Sequence, residues 1–198
     1  DVAEMQTRDG FGSAVSLNGD GNLLAIGAPG DRGADGETAG AGAVYLYGFG
    51  DGNFADASRR AIVGLGYQGG ENVDMTMLRA GDAFGQALSL NAAGNRLAVG
   101  APGDDGADED TENAGAIYLL SFADTAFAGG ALQSTFGLGY LGASDYDLDA
   151  LEANDSFGQS VALNAAGDRL AVGAPGDDGF GNAVSNSGAV YLFSFEDT

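Results

Sequence analysis

Short apolar runs, each bounded by Gly, Asn or Asp, recur along the whole chain. In the first third of the sequence these runs cover residues 13–17, 23–28, 43–49 and 61–67. Their alternating or continuous apolar pattern is typical of β-strands. The first two runs are joined by Asn-Gly-Asp-Gly-Asn at residues 18–22, which favours a tight hairpin turn. The pattern therefore predicts a unit of four strands with short, antiparallel connections.

The same unit recurs with a period of 73 residues, and no insertion or deletion separates the copies. Phe-Gly begins at Phe11, Phe84 and Phe157, and Ala-Pro-Gly begins at Ala28, Ala101 and Ala174. The period predicts three blade repeats in one continuous array, at residues 1–73, 74–146 and 147–198. We expect the third repeat to lack its fourth strand, because Thr198 precedes the position of that strand.

Tandem four-stranded antiparallel units are the blades of a β-propeller, although a row of small β-sandwich repeats has the same local pattern. The predicted fold class is all-β, with propeller-like blades that form an incomplete ring. Residues 75–80, and the equivalent segments around Met5 and Leu151, have weak helix propensity and are predicted to link successive blades. An incomplete ring leaves strand edges open, and such edges tend to pair with another chain.

The order of three motifs in each unit resembles the FG-GAP repeat. These motifs are Phe-Gly, then an apolar strand that ends in Gly-Ala-Pro-Gly, then Gly-Ala-Val-Tyr-Leu or a close variant. The FG-GAP repeat is known from integrin alpha-subunit propellers and from large bacterial surface proteins, and residues 163–179 look especially similar to the bacterial form. The resemblance implies a β-propeller, an extracellular or cell-surface location, and partner binding, often with calcium in blade loops.

Family propellers have more blades than the three units found here. The resemblance therefore implies either a fragment of a longer array or a protomer that assembles with copies of itself. The integrin-type calcium loop lies between the first two strands, at residues 18–22, 91–95 and 164–168 in this sequence. These segments carry too few carboxylates for that site, and we predict that they are plain hairpin turns.

Composition narrows the function classes further. The chain of 198 residues has a formal charge of −22, and all seven of its cationic residues are Arg. This charge argues against binding to nucleic acid and to anionic membranes, because both need cationic contacts. Without Cys or His, the chain lacks the usual general base and the thiolate and imidazole ligands of zinc. No apolar run approaches the roughly 18 residues that cross a bilayer, so membrane insertion is not expected.

Acidic residues gather at one end of each predicted blade. In an antiparallel hairpin, the residue before the first strand lies beside the residue after the second strand. This geometry places Asp9 near Asp31, and the same pairing repeats with the period. The loop after the second strand leaves from the same end, and it is most acidic in the second unit, at residues 104–112.

Closely spaced carboxylates are the ligands that Ca²⁺ prefers, so we predict calcium at one or more of these ends, with the second unit favoured. The candidate ligands are Asp82, Asp104, Asp105, Asp108, Asp110, Asp9, Asp31, Asp35, Asp155, Asp177 and Asp178. The alternative is a solvated acidic loop, in which the first aspartate of each loop forms a turn through hydrogen bonds to the backbone.

Tyrosines also recur at the period, at Tyr45, Tyr118, Tyr191, Tyr67 and Tyr140. We expect them to pack in the core. The alternative is a surface on which carbohydrate rings stack.

Three function hypotheses remain. The first is an extracellular, non-enzymatic adhesion or self-assembling module of a large surface or filament protein, stabilised by calcium. Its partners are other copies of itself, neighbouring repeats, a glycan or a surface protein. The second is a carbohydrate-binding, lectin-like propeller. The third, a glycoside hydrolase with paired carboxylates, is disfavoured because the acidic residues are repeated and lie in loops.

Overall fold

The computed structural model describes residues 5–50, 53–124 and 126–195. The predicted outer limits of the array, residues 1 and 198, lie outside these ranges. The described residues form three β-sheets, one for each predicted repeat, and a three-residue 3-10 helix at Phe180–Asn182. The predicted all-β fold with blade repeats is confirmed.

Each of the first two blades is an antiparallel meander of four strands with a short fifth strand parallel to the fourth. Blade 1 contains β1 (Val15–Leu17), β2 (Leu23–Ala28), β3 (Ala43–Gly48), β4 (Ser58–Gly64) and β5 (Val73–Asp74). Blade 2 contains β6 (Ala87–Leu90), β7 (Arg96–Ala101), β8 (Ala116–Ser121), β9 (Ala131–Gly137) and β10 (Tyr146–Asp147). Blade 3 contains β11 (Ser160–Leu163), β12 (Arg169–Ala174) and β13 (Ala189–Ser194).

The observed strands differ from the prediction in two respects. The fourth strand of blade 1 lies three residues earlier than predicted, at Ser58–Gly64, because the chain turns at Gly66, whose φ is 77°. Its N–H donates to Asp74 Oδ1 at 2.8 Å and fixes this turn. The fifth strands were not predicted, since two residues are too short to show a periodic pattern.

The linkers between blades are single turns anchored in the core. In the first linker, the N–H of Leu78 donates to the carbonyl of Met75 at 3.1 Å, and both side chains are buried. The equivalent Leu151 is also buried. These apolar anchors hold successive blades at a fixed separation.

The two faces of each sheet bury different residues. We call the face of each sheet that is directed toward the next blade along the chain its trailing face, and the opposite face its leading face. The trailing face of blade 1, with Val44 and Leu46, packs against Leu88 and Leu97 on the leading face of blade 2. The trailing face of blade 2 packs in the same way against blade 3, with Ile117 near the buried residues of β12. The core of the molecule therefore lies between the blades and repeats with the sequence.

Hydrogen bonds also connect neighbouring blades along their first strands. Ser16 Oγ accepts from the N–H of Leu90 at 2.9 Å, and Ser89 Oγ accepts from the N–H of Leu163 at 2.9 Å. The hairpin turns of the two blades are also joined, since the N–H of Gly19 donates to the carbonyl of Ala92 at 2.9 Å. The first strands are thus the closest elements of adjacent blades, as in a propeller.

The Phe-Gly of one blade packs on the Gly-Ala-Pro of the preceding blade. The N–H of Phe84 donates to the carbonyl of Ala41 at 3.1 Å, and the ring of Phe84 is fully buried between the sheets. The backbone of Gly85 lies so close to Gly27 that a methyl group on Gly27 would overlap the Gly85 carbonyl oxygen. The motif residues therefore form an inter-blade contact, which we call the FG/GAP contact.

Replacing the glycine of this contact between blades 2 and 3 tests its contribution. We expect Gly100→Ala to lower the free energy of unfolding by about 1–3 kcal/mol, because its methyl group would overlap the carbonyl oxygen of Gly158. Urea denaturation followed by circular dichroism measures this change.

Gly173 provides the matched control, since it occupies the same repeat position on the last blade. Its added methyl group would meet only Ser160 Oγ, so Gly173→Ala is tested in a Ser160→Ala background. We expect the control to change the denaturation midpoint little. Equal losses in both variants would contradict a role for the FG/GAP contact.

Candidate functional site

A buried aspartate at the end of the second strand accepts hydrogen bonds from tyrosine hydroxyls. In blade 2, Asp104 accepts from the hydroxyl of Tyr118 at 2.6 Å and from that of Tyr140 at 2.9 Å. The N–H of Gly106 donates to the same carboxylate at 2.9 Å. Each carboxylate oxygen of Asp104 is therefore held by protein donors.

Blade 1 repeats this network, and blade 3 contains part of it. Asp31 accepts from Tyr45 at 2.8 Å and from Tyr67 at 3.1 Å. Within the described residues, Asp177 accepts from Tyr191 at 2.6 Å and from no second tyrosine. The carboxylate of Asp177 thus has one tyrosine donor where the other two have two.

A second buried aspartate precedes the first strand of each blade. Asp82 Oδ2 accepts from the N–H of Arg79 at 2.7 Å, and Asp155 Oδ2 accepts from that of Glu152 at 2.8 Å. The predicted pairing of aspartates is observed, since the carbonyl of Asp82 accepts from Gly103, the residue before Asp104, at 3.1 Å. The same contact joins Asp9 to Gly30 at 2.8 Å.

Burial of these acid pairs shifts their protonation. Burial, together with the negative charges of Asp104, Glu109 and Asp105, raises the pKa of Asp82 to about 7, against the lowering effect of the Arg79 N–H. Burial is also the main cause of the raised pKa values of Asp31, Asp104 and Asp155. The negative charge of Asp82 is therefore unfavourable in the folded chain near neutral pH.

Several of the predicted metal ligands close loops. Asp105 Oδ1 accepts from the N–H of Asn113 at 2.7 Å, and Asp178 Oδ1 accepts from that of Asn186 at 2.7 Å. Asp35 Oδ1 accepts from the N–H of Glu37 at 3.0 Å. The first loop aspartates, Asp31, Asp104 and Asp177, each accept from the N–H two residues further on. The turn-forming role that we considered as an alternative is therefore observed.

The acidic loop of blade 2 surrounds a small cavity of about 90 Å³. Asp105, Asp108 and Asp110 line it together with Thr111. A calcium ion takes six to eight oxygen ligands at close range. Within residues 5–50, 53–124 and 126–195, no group of three or more acidic side chains is arranged to hold a metal ion. The described geometry does not amount to a preformed calcium site, and calcium binding stays a prediction.

In blade 1, a buried carboxylate oxygen without a hydrogen-bond donor among the described residues lies beside a larger cavity. Asp9 Oδ1 is buried and accepts no hydrogen bond within the described part of the chain. An unsatisfied buried acceptor costs roughly 1–3 kcal/mol, which makes its neighbourhood receptive to a water molecule or another donor. The cavity, of about 520 Å³, is also lined by Asp31, Arg32, Tyr67 and Asn72.

The loop between the first two strands is a plain hairpin turn, as predicted. In blade 1, Asn18 Oδ1 accepts from the N–H groups of Asn22 and Leu23 at 3.1 Å and 3.0 Å. Asn91 closes the equivalent turn in blade 2. Tyr45 and Tyr118 are fully buried, as expected for core residues, whereas Tyr67, Tyr140 and Tyr191 are half-buried.

Among the described residues, the outer faces of the first and last blades expose apolar side chains, although Tyr45 and Ile62 on the outer face of blade 1 are buried. On the leading face of blade 1, Val15 is 63% exposed, whereas its repeat equivalent Leu88 is 9% exposed in the interface between blades. On the trailing face of blade 3, Leu192 is 77% exposed, whereas its equivalent Leu119 is 4% exposed. The exposed residues of the two end faces therefore belong to opposite halves of the interface that is formed twice within the chain.

Neither these faces nor the tyrosine–aspartate bonds were predicted from the sequence. The relevant signal was present, because each aspartate and its tyrosine partner recur at a constant spacing through the repeats. The residues of the end faces could be derived from the same period, because successive side chains of a strand alternate between the leading and the trailing face of its sheet.

The geometry defines an all-β array of propeller-like blades. The family model described as "FG-GAP repeat" matches residues 3–47, 78–120 and 147–193. The chain belongs to the FG-GAP repeat family. The resemblance to the FG-GAP repeat that was noted from the motifs is thereby confirmed.

The solved structures that resemble the chain include the periplasmic gluconolactonase PpgL of Pseudomonas aeruginosa, with 14% identity and a TM-score of 0.49. That match covers 92% of this chain and 39% of the gluconolactonase, so this chain spans well under half of that protein. A search of curated proteins finds no match. No helix in the described part of the chain is both long and apolar enough to cross a membrane.

The raised pKa of Asp82 predicts a specific pH dependence. Between the unfolded pKa near 3.9 and the folded pKa of about 7, the folded chain binds more protons than the unfolded chain. Stability therefore falls as pH rises through this range, and the full penalty is present above about pH 7. In chelator, we expect the melting temperature to be higher at pH 5 than at pH 8, by on the order of 5 °C.

Asp82→Asn isolates this contribution, because the amide keeps an acceptor for the Arg79 N–H and removes the charge. We expect this variant to melt at a higher temperature than the wild type at pH 8 and to depend less on pH. Asp20→Asn, at an exposed turn, is the control for the loss of one negative charge. A pH dependence that is the same in both variants would rule out Asp82 as its source.

Proposed function

We propose that this chain is a non-enzymatic assembly and adhesion module of an extracellular surface or filament protein. The observation that carries the proposal is the exposed apolar surface on the two end faces of the described structure, around Val15 on blade 1 and Leu192 on blade 3. Their partners are other FG-GAP blades, from copies of the chain or from neighbouring repeats. The absence of His and Cys from the sequence is consistent with a binding role.

The interfaces between blades within the chain support this choice of partner. Val44 and Leu46 on the trailing face of blade 1 are buried by blade 2, and their equivalents on blade 3 are Val190 and Leu192. A second copy that places its leading face there would reproduce the same packing. Such an association is head-to-tail, so it forms either a closed ring or an open filament according to the rotation between copies.

Two features modulate this association. The formal charge of −22 makes copies repel one another, and salt weakens this repulsion beyond a Debye length of about 8 Å at physiological ionic strength. At the position of Ser16 and Ser89, blade 3 has Ala162, so a docked copy lacks the hydroxyl that joins the internal blades. We therefore expect association that is weaker than the internal contacts and strengthened by salt.

Light scattering across a concentration series tests the proposal. We expect a mass above that of the 19.7 kDa monomer, increasing with protein and salt concentration. Leu192→Glu should shift the chain to the monomer, because it places a charge in the end face. Ala162→Ser should shift it toward the assembly, because the hydroxyl can accept a hydrogen bond across the interface.

Leu141→Glu is the matched control, since Leu141 is 81% exposed and lies outside the end faces. It adds the same charge and should leave the mass unchanged. A monomer at all concentrations and in high salt would refute self-assembly through the end faces.

The proposed calcium dependence is measured in the same experiment. We propose that calcium binds at the acidic ends of the blades, foremost around Asp105, Asp108 and Asp110, which share one cavity. Calcium should raise the melting temperature and increase the assembled fraction, and a chelator should reverse both effects. Unchanged melting in millimolar calcium would exclude this role.

A carbohydrate-binding function is the second candidate, and the cavity of about 520 Å³ in blade 1 favours it. Its lining combines carboxylate, guanidinium and amide groups with Tyr67, a mixture that suits the hydroxyl groups and ring faces of a sugar. Binding on a glycan array should then be lost in Asn72→Ala. An array without any binder, with and without calcium, would eliminate this function.

A further inference from the structure

The carboxylate of Asp9 is buried at a cavity and has an unused acceptor. Asp9 is 3% exposed and lines the cavity of about 520 Å³ in blade 1. Its Oδ2 accepts from the N–H of Gln6, whereas its Oδ1 has no donor among the described residues. Within residues 5–50, 53–124 and 126–195, no other buried side-chain nitrogen or oxygen lacks a partner. Because an unsatisfied buried acceptor is costly, this atom favours a ligand group that donates hydrogen bonds.

The lining of this cavity combines both signs of charge. Asp9 and Asp31 contribute carboxylates, and Arg32 and Arg59 contribute guanidinium groups. These two arginines are a large share of the seven cationic residues in the whole sequence. Every lining residue belongs to blade 1 or to the segment that leads into it, so a single repeat builds the cavity.

The mixed charge is a property of the blade 1 sequence and not of the repeat in general. Both aspartates recur at the 73-residue period in the other two blades. The arginines do not recur in blade 2, where the equivalent of Arg32 is Asp105 and the equivalent of Arg59 is Leu132. A ligand that needs both signs of charge would therefore discriminate between blade 1 and blade 2.

The two carboxylates repel each other inside the cavity. Burial is the main cause of the raised pKa of Asp31, and the negative charge of Asp9 adds to it. A cationic group beside the pair relieves this repulsion. A calcium ion needs six to eight oxygen ligands, and no group of three or more acidic side chains in the described part of the chain is arranged to hold a metal ion. An ammonium group suits the pair better, because it has three donors and needs few acceptors.

We propose that this cavity binds a small zwitterion, an α-amino acid, with its ammonium group on Asp9 and its carboxylate group on Arg32 and Arg59. Such a ligand has no net charge, so the formal charge of −22 does not repel it as it would repel a simple anion. The cavity volume lies within the range of small-molecule sites, and Ile62 in the lining provides an apolar contact for the ligand's side chain.

This inference does not rest on assembly through the end faces, and its ligand differs from the neutral sugar considered for the same cavity. The hydroxyl groups of a neutral sugar can form hydrogen bonds with the lining, but they compensate neither sign of charge. Binding of D-glucose is therefore the comparison that separates the two ligands.

The free α-amino acids are the probes of the first experiment, at pH 7 and about 0.15 M salt, which screens long-range charge. Saturation-transfer NMR on the intact chain identifies binders, and isothermal titration calorimetry then measures affinity. We expect one molecule bound for each chain. N-acetylation of the tightest ligand should weaken binding by about 10- to 100-fold, and so should amidation of its carboxylate, because each removes a charge-assisted contact. Binding of no amino acid, or equally tight binding of D-glucose, would overturn the proposal.

Asp9→Asn tests the ammonium contact from the protein side. The amide oxygen keeps an acceptor for the Gln6 N–H and removes the charge, so we expect about 10- to 100-fold weaker binding of the amino acid. Asp82→Asn is the matched control, since it makes the same change at the equivalent position of blade 2 and should leave binding unchanged. Equal losses in the two variants, or wild-type affinity in Asp9→Asn, would contradict the proposed contact.

The double variant Arg32→Gln, Arg59→Gln tests the carboxylate contact. In this variant the difference in affinity between the amino acid and its amide should disappear, because both guanidinium charges are lost. Arg169→Gln, at an exposed arginine outside the cavity, is the control and should keep the difference. The full difference in the double variant would overturn the assignment of the carboxylate. The ligand analogues test the same two contacts without any change to the protein, so the result does not depend on the folding of the variants.

Discussion

The close approach of backbone to backbone between blades is the constraint on which the array depends. Gly27 and Gly100 let the Phe-Gly of the next blade approach so closely that no side chain fits between. This approach places the buried Phe84 and Phe157 rings between sheets and brings the first strands within hydrogen-bonding distance. The two halves of the FG/GAP motif therefore act across a blade boundary, and each blade needs its neighbours.

Buried carboxylates add a second constraint with a different chemistry. Asp104 is held by two tyrosine hydroxyls and a backbone N–H, which orders the end of the blade. Burial of the neighbouring Asp82 has an electrostatic cost, and that cost is greatest when both carboxylates are ionised. The acidic ends thus combine structural hydrogen bonds with charge that a proton or a cation would relieve.

The fold was largely predictable, because a 73-residue period and three ordered motifs determine the strand order and the number of blades. The pairing of Asp82 with Asp104 also followed, from hairpin geometry alone. The sequence did not reveal which aspartate oxygens are already occupied, because Tyr140 approaches Asp104 from the turn after β9, 36 residues further along the chain. The prediction of calcium binding rested on the number of nearby carboxylates, because their hydrogen-bond partners were not visible in the sequence. The exposure of Val190 and Leu192 could not be predicted from the sequence either, since their burial depends on the presence of a neighbouring blade.

The packing of each blade against its adjacent blades has a mechanical consequence. Blade 2 is covered on both faces, whereas blade 3 is covered on one face and contains three strands in the described structure. Under tension, resistance to extension would therefore be unequal along the chain, and blade 3 would rupture at lower force than blade 2. A blade docked on the trailing face would raise that rupture force, so that longer arrays would resist pulling better than their individual members.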